Sequence, residues 1–158
     1  MWFAVFSSPG MARRDTGATA RFQEQDRTRS HPCELSLTTA VDSSLIMSCL
    51  FCRIIDGSVP SKAVYQDDQC YAFADIDPQA PVHVLIVPRE HLASIERAST
   101  DHSALLGHLH LVAAEIARGK GLGKGYRTVI NTGGEGGQTV DHLHLHLLGG
   151  RQMRWPPG

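Results

Sequence analysis

His142-Leu143-His144-Leu145-His146-Leu147-Leu148 decides how this chain folds. Polar and apolar residues alternate strictly, which is the pattern of a strand with two unlike faces. Leu143, Leu145 and Leu147 are predicted to enter a core, while His142, His144 and His146 form a ladder of imidazoles on the other face. Neighbouring rungs lie about 6.8 Å apart along such a strand, and the outer two about 13 Å. One zinc ion needs ligand atoms about 2.0–2.1 Å away. A His-x-His pair can meet this, but three rungs of one straight strand hardly can. A ladder that cannot close on one metal suggests proton transfer or nucleophilic attack. The plain alternative is a surface strand rich in His by chance, since 9 of 158 residues are His. Strict period two directly after the Gly-rich stretch 133–137 speaks against it.

The length suits one domain, and a small α+β domain often dimerises to bury more surface. The formal net charge of -1 advertises neither nucleic-acid nor membrane binding. No apolar run approaches the ~18 residues of a membrane span. The 4 Cys, at positions 33, 49, 52 and 70, do not make the framework of a secreted miniprotein, so they read as reduced thiols or a metal pair.

Residues 1–48 differ in kind from the rest. They are rich in Ser, Thr, Arg and Gln and show no sustained period, so a disordered or poorly ordered extension is expected. Arg13, Arg14, Arg21, Arg27 and Arg29 would suit a mitochondrial presequence, but Asp15, Glu24, Asp26, Glu34 and Asp42 balance them. Met47 is a third option, as the natural start. The protein is expected in the cytoplasm, or in an organelle if 1–48 is a targeting segment.

From residue 49 the chain reads as alternating short elements. Cys49 to Ile55 predicts a short helix with Leu50, Phe51, Ile54 and Ile55 on one face, closed by Asp56-Gly57. Strands are predicted at 63–66, 70–75, 82–87 and 126–131, the third nearly all apolar except for His83. A lone His in such a strand is more often a hydrogen-bonded core residue than a catalyst. Thr100 or Asp101 can cap a helix running to about Arg118, with a 3.6-period stripe from Leu105 to Ala117. His102, His108 and His110 fall largely off the stripe and read as solvated surface. Gly119–Gly125 contains GKGLGKG, but the spacing is wrong for a P-loop. The loop from Asn131 to Thr139 delivers straight into the ladder, and its glycines let backbone N–H groups approach an anion. Cys49-x-x-Cys52 is half of a zinc site, or else two thiols packing as small hydrophobes.

The ladder matches the motif of the histidine triad family, His-φ-His-φ-His-φ-φ with φ apolar, at all seven positions. The tail Gly149 to Gly158, reading GGRQMRWPPG, resembles the HINT-type branch, the purine nucleoside phosphoramidases. The resemblance covers residues 49–158 as one domain. It implies an α+β fold with an antiparallel sheet of about five strands, a short N-terminal helix and one long helix, in a homodimer. It implies a hydrolase that cleaves the P–N bond of nucleoside 5′-phosphoramidates. The nucleophile would be the middle histidine, His144, which forms a nucleotidyl-histidine; His146 would bond the phosphate, with His142 flanking. A neutral imidazole is a competent nucleophile near pH 7, because its ordinary pKa lies near 6.5.

By the same resemblance, Gln138, Thr139 and Asn131 contact the phosphate or leaving group. Asp75 takes the ribose hydroxyls, and Phe51, Ile54, Ile76 and Leu85 wall the purine. His83 supports the site from behind, and Trp155 reaches towards the partner subunit. Some members join a Cys-x-x-Cys to two histidines, which here would be Cys49, Cys52, His91 and His142 around a structural zinc. No cofactor is expected for catalysis. Asp141 departs from the family pattern, where an aromatic is common, and could raise the pKa of His142 or orient it. Two rival functions remain from the sequence: a nucleotide-binding regulatory or scaffold protein with incidental hydrolysis, and a metal-dependent hydrolase that uses the ladder as ligands.

Overall fold

The computed structural model describes residues 49–157. The readings made for 1–48 lie outside those residues. Five strands form one antiparallel sheet: β1 (Ala63–Gln66), β2 (Cys70–Ala74), β3 (Val82–Pro88), β4 (Tyr126–Val129) and β5 (Leu145–Gly149). Their order across the sheet is β1-β2-β3-β5-β4. Helix α1 (Leu50–Ile55) precedes the sheet, and α2 (Ser103–Gly119) connects β3 to β4. The predicted α+β architecture is therefore the observed one. Among the described residues no helix is long and apolar enough to cross a membrane.

The apolar run of β3 has a structural cause. Val84 and Ile86 pack on one face with Leu109, Val112, Ala113 and Ile116 of α2. Leu85 and Val87 pack on the other face with Phe51 and Ile54 of α1. A strand covered on both sides loses the usual alternation. β5 keeps it, because Leu145 and Leu147 enter the α2 side while His146 lies on the α1 side, opposite Leu85 of β3 and Val129 of β4.

The histidine stretch is only partly strand. Pairing begins at Leu145, so His142 and His144 precede β5 in an extended approach anchored by the Leu143 N–H on the Leu92 carbonyl at 2.6 Å. The periodicity still sorts the side chains correctly, since Leu143 is buried with Leu145 and Leu147.

Two expectations at α2 change. Ser99 rather than Thr100 or Asp101 is the cap: its Oγ accepts the Asp101 N–H, and the His102 ring accepts the Ser99 N–H at 2.9 Å. A short 3-10 turn, Thr100–His102, then leads into the helix. His108 is no free surface residue. Its Nε2–H donates to Asp67 Oδ2 at 2.7 Å, tying α2 to the β1–β2 turn. Burial works against the Asp67 carboxylate, but the N–H groups of Cys70 and Gln69, the His108 ring and the Tyr65 hydroxyl hold it well below the ordinary range. Helical periodicity could not reveal that partner, which lies 41 residues away.

Candidate active site

The three histidines face three different environments, and their hydrogen bonds assign a tautomer to each. His142 is fully buried; its Nε2–H donates to the Pro88 carbonyl at 2.9 Å. Its Nδ1 therefore carries the lone pair, turned to Cys49 Sγ at 3.4 Å and Cys52 Sγ at 3.6 Å. His144 Nδ1–H donates to the His142 carbonyl at 2.7 Å. That leaves His144 Nε2 as the bare nitrogen. The His144 ring stands edge-on to Phe51, with centroids 5.2 Å apart.

His146 is set through a relay. The Gln79 N–H donates to His83 Nδ1 at 3.2 Å, so His83 carries its proton on Nε2. That proton goes to His146 Nδ1 at 2.9 Å. His146 must then hold its own proton on Nε2, an atom that is buried without a partner among the described residues. An unpaired buried donor is costly and calls for an acceptor. The ring centroids of His144 and His146 lie 4.9 Å apart, so the ring with a bare nitrogen neighbours the ring with an unused donor.

The first rung has left the ladder. Cys49 Sγ, Cys52 Sγ and a ring nitrogen from each of His91 and His142 all lie within 4.8 Å of one another. His91 Nδ1 is 3.3 Å from Cys52 Sγ. Tetrahedral bonds of about 2.3 Å to sulfur and 2.0 Å to nitrogen place ligand atoms about 3.3–3.8 Å apart, so these residues fit zinc. The Pro88 carbonyl on Nε2 is the outer-shell bond that orients a histidine ligand. Without a cation, burial first and then the neighbouring Cys49 push the Cys52 thiol up to about 12; a bound cation reverses that balance. The ring of His142 is thus placed for the thiols rather than for proton transfer, and only its carbonyl serves His144. Asp141 plays no part in its titration. Burial, then the rings of His91 and His144, lower the His142 pKa to about 4 against the Pro88 bond. The expected rise is therefore corrected to a fall.

A family model described as HIT domain matches residues 56–153. The chain belongs to the HIT domain family. An uncharacterized HIT-like protein of Synechococcus elongatus is 56% identical over 109 residues, 69% of this chain and 96% of its own length. A HIT family hydrolase from Legionella pneumophila Philadelphia 1 superposes with a TM-score of 0.69 at 50% identity, covering 70% of this chain and 100% of its own. A histidine triad nucleotide-binding protein from Candida albicans superposes with a TM-score of 0.60 at 33% identity, over 69% of this chain and 83% of its own.

The other residues expected at the site have mixed surroundings. Phe51, Ile54 and Leu85 are packed together, whereas Ile76 is fully exposed with nothing against it. Asp75 Oδ1 accepts the Asp77 N–H at 2.8 Å, and Oδ2 lies 3.4 Å from His83 Nε2. Thr139 is exposed and Asn131 half-buried at the loop rim. Gln138 is used differently from the expectation. Its amide donates to the Ala93 and Val140 carbonyls at 2.7 and 2.9 Å and accepts the Gly133 N–H at 3.1 Å. It braces the glycine loop against the 91–98 segment. Gly136 is needed there, because a Cβ would collide with the Thr132 carbonyl. Trp155 is 84% exposed on the tail. Sequence reasoning missed Gln79, whose main-chain N–H sets the tautomer of His83.

The buried relay predicts a pH effect on stability. Burial, then the neighbouring rings of His144 and His83, lower the His146 pKa to about 4, with Asp75 pulling the other way. Burial also lowers His83, against Asp75 and Asp77. In the unfolded chain these rings titrate near 6.5. Between about pH 6.5 and 4 the unfolded chain binds the proton and the native one does not. Stability is therefore full above pH 6.5 and falls on acidification through that window, by on the order of 2 kcal/mol for His146. Urea midpoints at pH 7 and 4.5 measure this, and His146→Asn should shrink the difference. Equal losses in both proteins would remove His146 as the cause.

Proposed function

We propose that this HIT protein hydrolyses the P–N bond of purine nucleoside 5′-phosphoramidates through a nucleotidyl-His144 intermediate. The observation that carries the reading is the bare His144 Nε2 beside the unpartnered His146 Nε2–H. A nucleophile and an oxyanion donor in that arrangement suit attack on phosphorus. The Legionella relative is described as a hydrolase and the Candida relative as nucleotide-binding, which supports the same class.

His144 Nε2 forms a bond to phosphorus while the P–N bond to the amine breaks. The amine departs with that electron pair and a proton taken from solution. The resulting imidazolium keeps its Nδ1–H on the His142 carbonyl, which spreads the positive charge. His146 Nε2–H donates to a phosphoryl oxygen. Water then attacks phosphorus, the bond to Nε2 breaks, and one proton returns to solution. Nucleoside monophosphate leaves and neutral His144 is restored. Asp75 would hold the ribose hydroxyls, and Ile76, Leu85, Ile54 and Phe51 the base. Thr139 and Asn131 stand at the rim where the phosphate enters.

Cys49, Cys52, His91 and His142 would hold a structural zinc, which fixes the short α1 helix to the segment that carries His144. Its chemistry is a scaffold's, and no catalytic step uses it. β4 is an edge strand of the sheet, and pairing it with a second copy would satisfy that edge in a homodimer.

Rapid quench of the protein with adenosine 5′-phosphoramidate, followed by intact-mass and peptide analysis, tests the reading. A nucleotidyl adduct on His144 is expected during turnover. Turnover with no adduct, or no turnover at all, would sink it. The second result leaves the regulatory nucleotide-binding reading standing.

A further inference from the structure

We propose that Cys49 and Cys52 are a peroxide-sensitive pair: hydrogen peroxide oxidises them to a reversible disulfide, which ends zinc binding and unties α1 from the rest of the domain. The inference goes beyond the hydrolase reading and does not depend on it. Position makes the pair. Cys49 immediately precedes α1 and Cys52 lies in its first turn, where the Arg53 N–H donates to the Cys49 carbonyl at 3.1 Å. Residues three apart on such a turn are neighbours, and the two sulfurs lie within 4.8 Å of each other. The bond therefore closes within one turn of backbone, as in other Cys-x-x-Cys pairs.

Exposure divides their roles. Cys49 is half-buried, while Cys52 is buried. A redox-sensitive cysteine is one that the oxidant reaches and that stands beside a second thiol able to resolve it. Cys49 meets the first condition and Cys52 supplies the second. The other free thiol among the described residues, Cys70, is fully buried in the core on the α2 side of the sheet. Cys49 packs with the core on the α1 side. The sheet separates them, so Cys70 does not compete for the bond.

The Cys49 sulfur attacks peroxide, the O–O bond breaks, and a sulfenic acid and one water form. The Cys52 sulfur then attacks the Cys49 sulfur, the S–O bond breaks, and the disulfide and a second water form. The sulfurs lose two electrons between them, and the peroxide gains two. From thiols, the two S–H protons leave in the waters; from zinc-bound thiolates, solution supplies them. Thiolate is the form that ligates a metal, so after oxidation only His91 and His142 remain of the four ligands. The cross-link changes its reach as well. Around zinc the four residues would join α1, the segment after β3 and the approach to β5. The disulfide joins two residues of one turn, and so short a loop constrains the chain little. Helix α1, six residues without a side-chain cap, is then left to the packing of Phe51 and Ile54.

Hydrogen peroxide added to the purified protein carrying its zinc tests the proposal. Three readouts are followed: intact mass with peptide mapping, zinc captured by a colorimetric chelator, and Tm. The mass should fall by two hydrogens, with Cys49 linked to Cys52. About one zinc per chain should appear in solution, and Tm should fall by more than ~10 °C. Dithiothreitol with added zinc should restore all three. Cys70→Ser should respond as the wild type does. No reaction, sulfinic acid at Cys49 without the link, a link through Cys33 or Cys70, or zinc retained after the link forms would each overturn the proposal. A purified protein that never binds zinc would overturn it together with the zinc reading, whereas phosphoramidate turnover is judged separately by its own adduct.

Discussion

Replacing His144 with asparagine lowers kcat by about 10⁴-fold or more and leaves the fold intact. The substitution separates the two jobs of the ring. Its Nδ1–H holds the segment to the His142 carbonyl, and in the proposed reaction its Nε2 attacks. An asparagine amide can donate to the same carbonyl but has no nucleophilic nitrogen. The far-UV spectrum and urea midpoint should therefore change little, while turnover and the nucleotidyl adduct both disappear. His146→Asn should cost less, about 10²–10³-fold, because in the proposed reaction it removes one donor to the phosphoryl oxygens rather than the bond-forming atom. Single-turnover kinetics on the two variants give the ranking. Comparable losses would make His146 more than a donor; a His144→Asn protein that still forms the adduct would place the nucleophile elsewhere.

Why some of this could be read from the sequence follows from where the information lies. Periodicity is a property of side chains. The alternation through 142–148 placed Leu143, Leu145 and Leu147 against α2 even though pairing begins only at Leu145. The apolar run of β3 marked a strand covered on both faces. The tautomers could not be read, because they depend on main-chain atoms: the His142 and Pro88 carbonyls and the Gln79 N–H. No residue identity announces a carbonyl. His108 was misjudged because its partner, Asp67, arrives through tertiary packing. Gln138 resembled a phosphate ligand, yet its amide is fully engaged within the loops.

Zinc removal should be the largest perturbation of stability. α1 has six residues, no side-chain cap and no acidic residue in its first turn. A helix that short does not hold itself together. It stays because Phe51 and Ile54 pack on Phe73 and Leu85, and because Cys49 and Cys52 meet His91 and His142. The second contact joins α1, the segment after β3 and the approach to β5 at one point. Structural zinc sites contribute folding energy directly, and losing one should cost several kcal/mol in a domain with its own core. Metal analysis should find about one zinc per chain. Cys52→Ser should lose it and lower Tm by more than ~10 °C. Turnover should fall in proportion to unfolding, since a zinc held by His142 would reach His144 only through the backbone carbonyl of His142. The folded fraction of the variant should accordingly keep its reactivity towards the phosphoramidate. A metal-free wild type with an unchanged Tm would return the two thiols to ordinary packing. A fully folded variant without activity would move the metal from the scaffold into the chemistry.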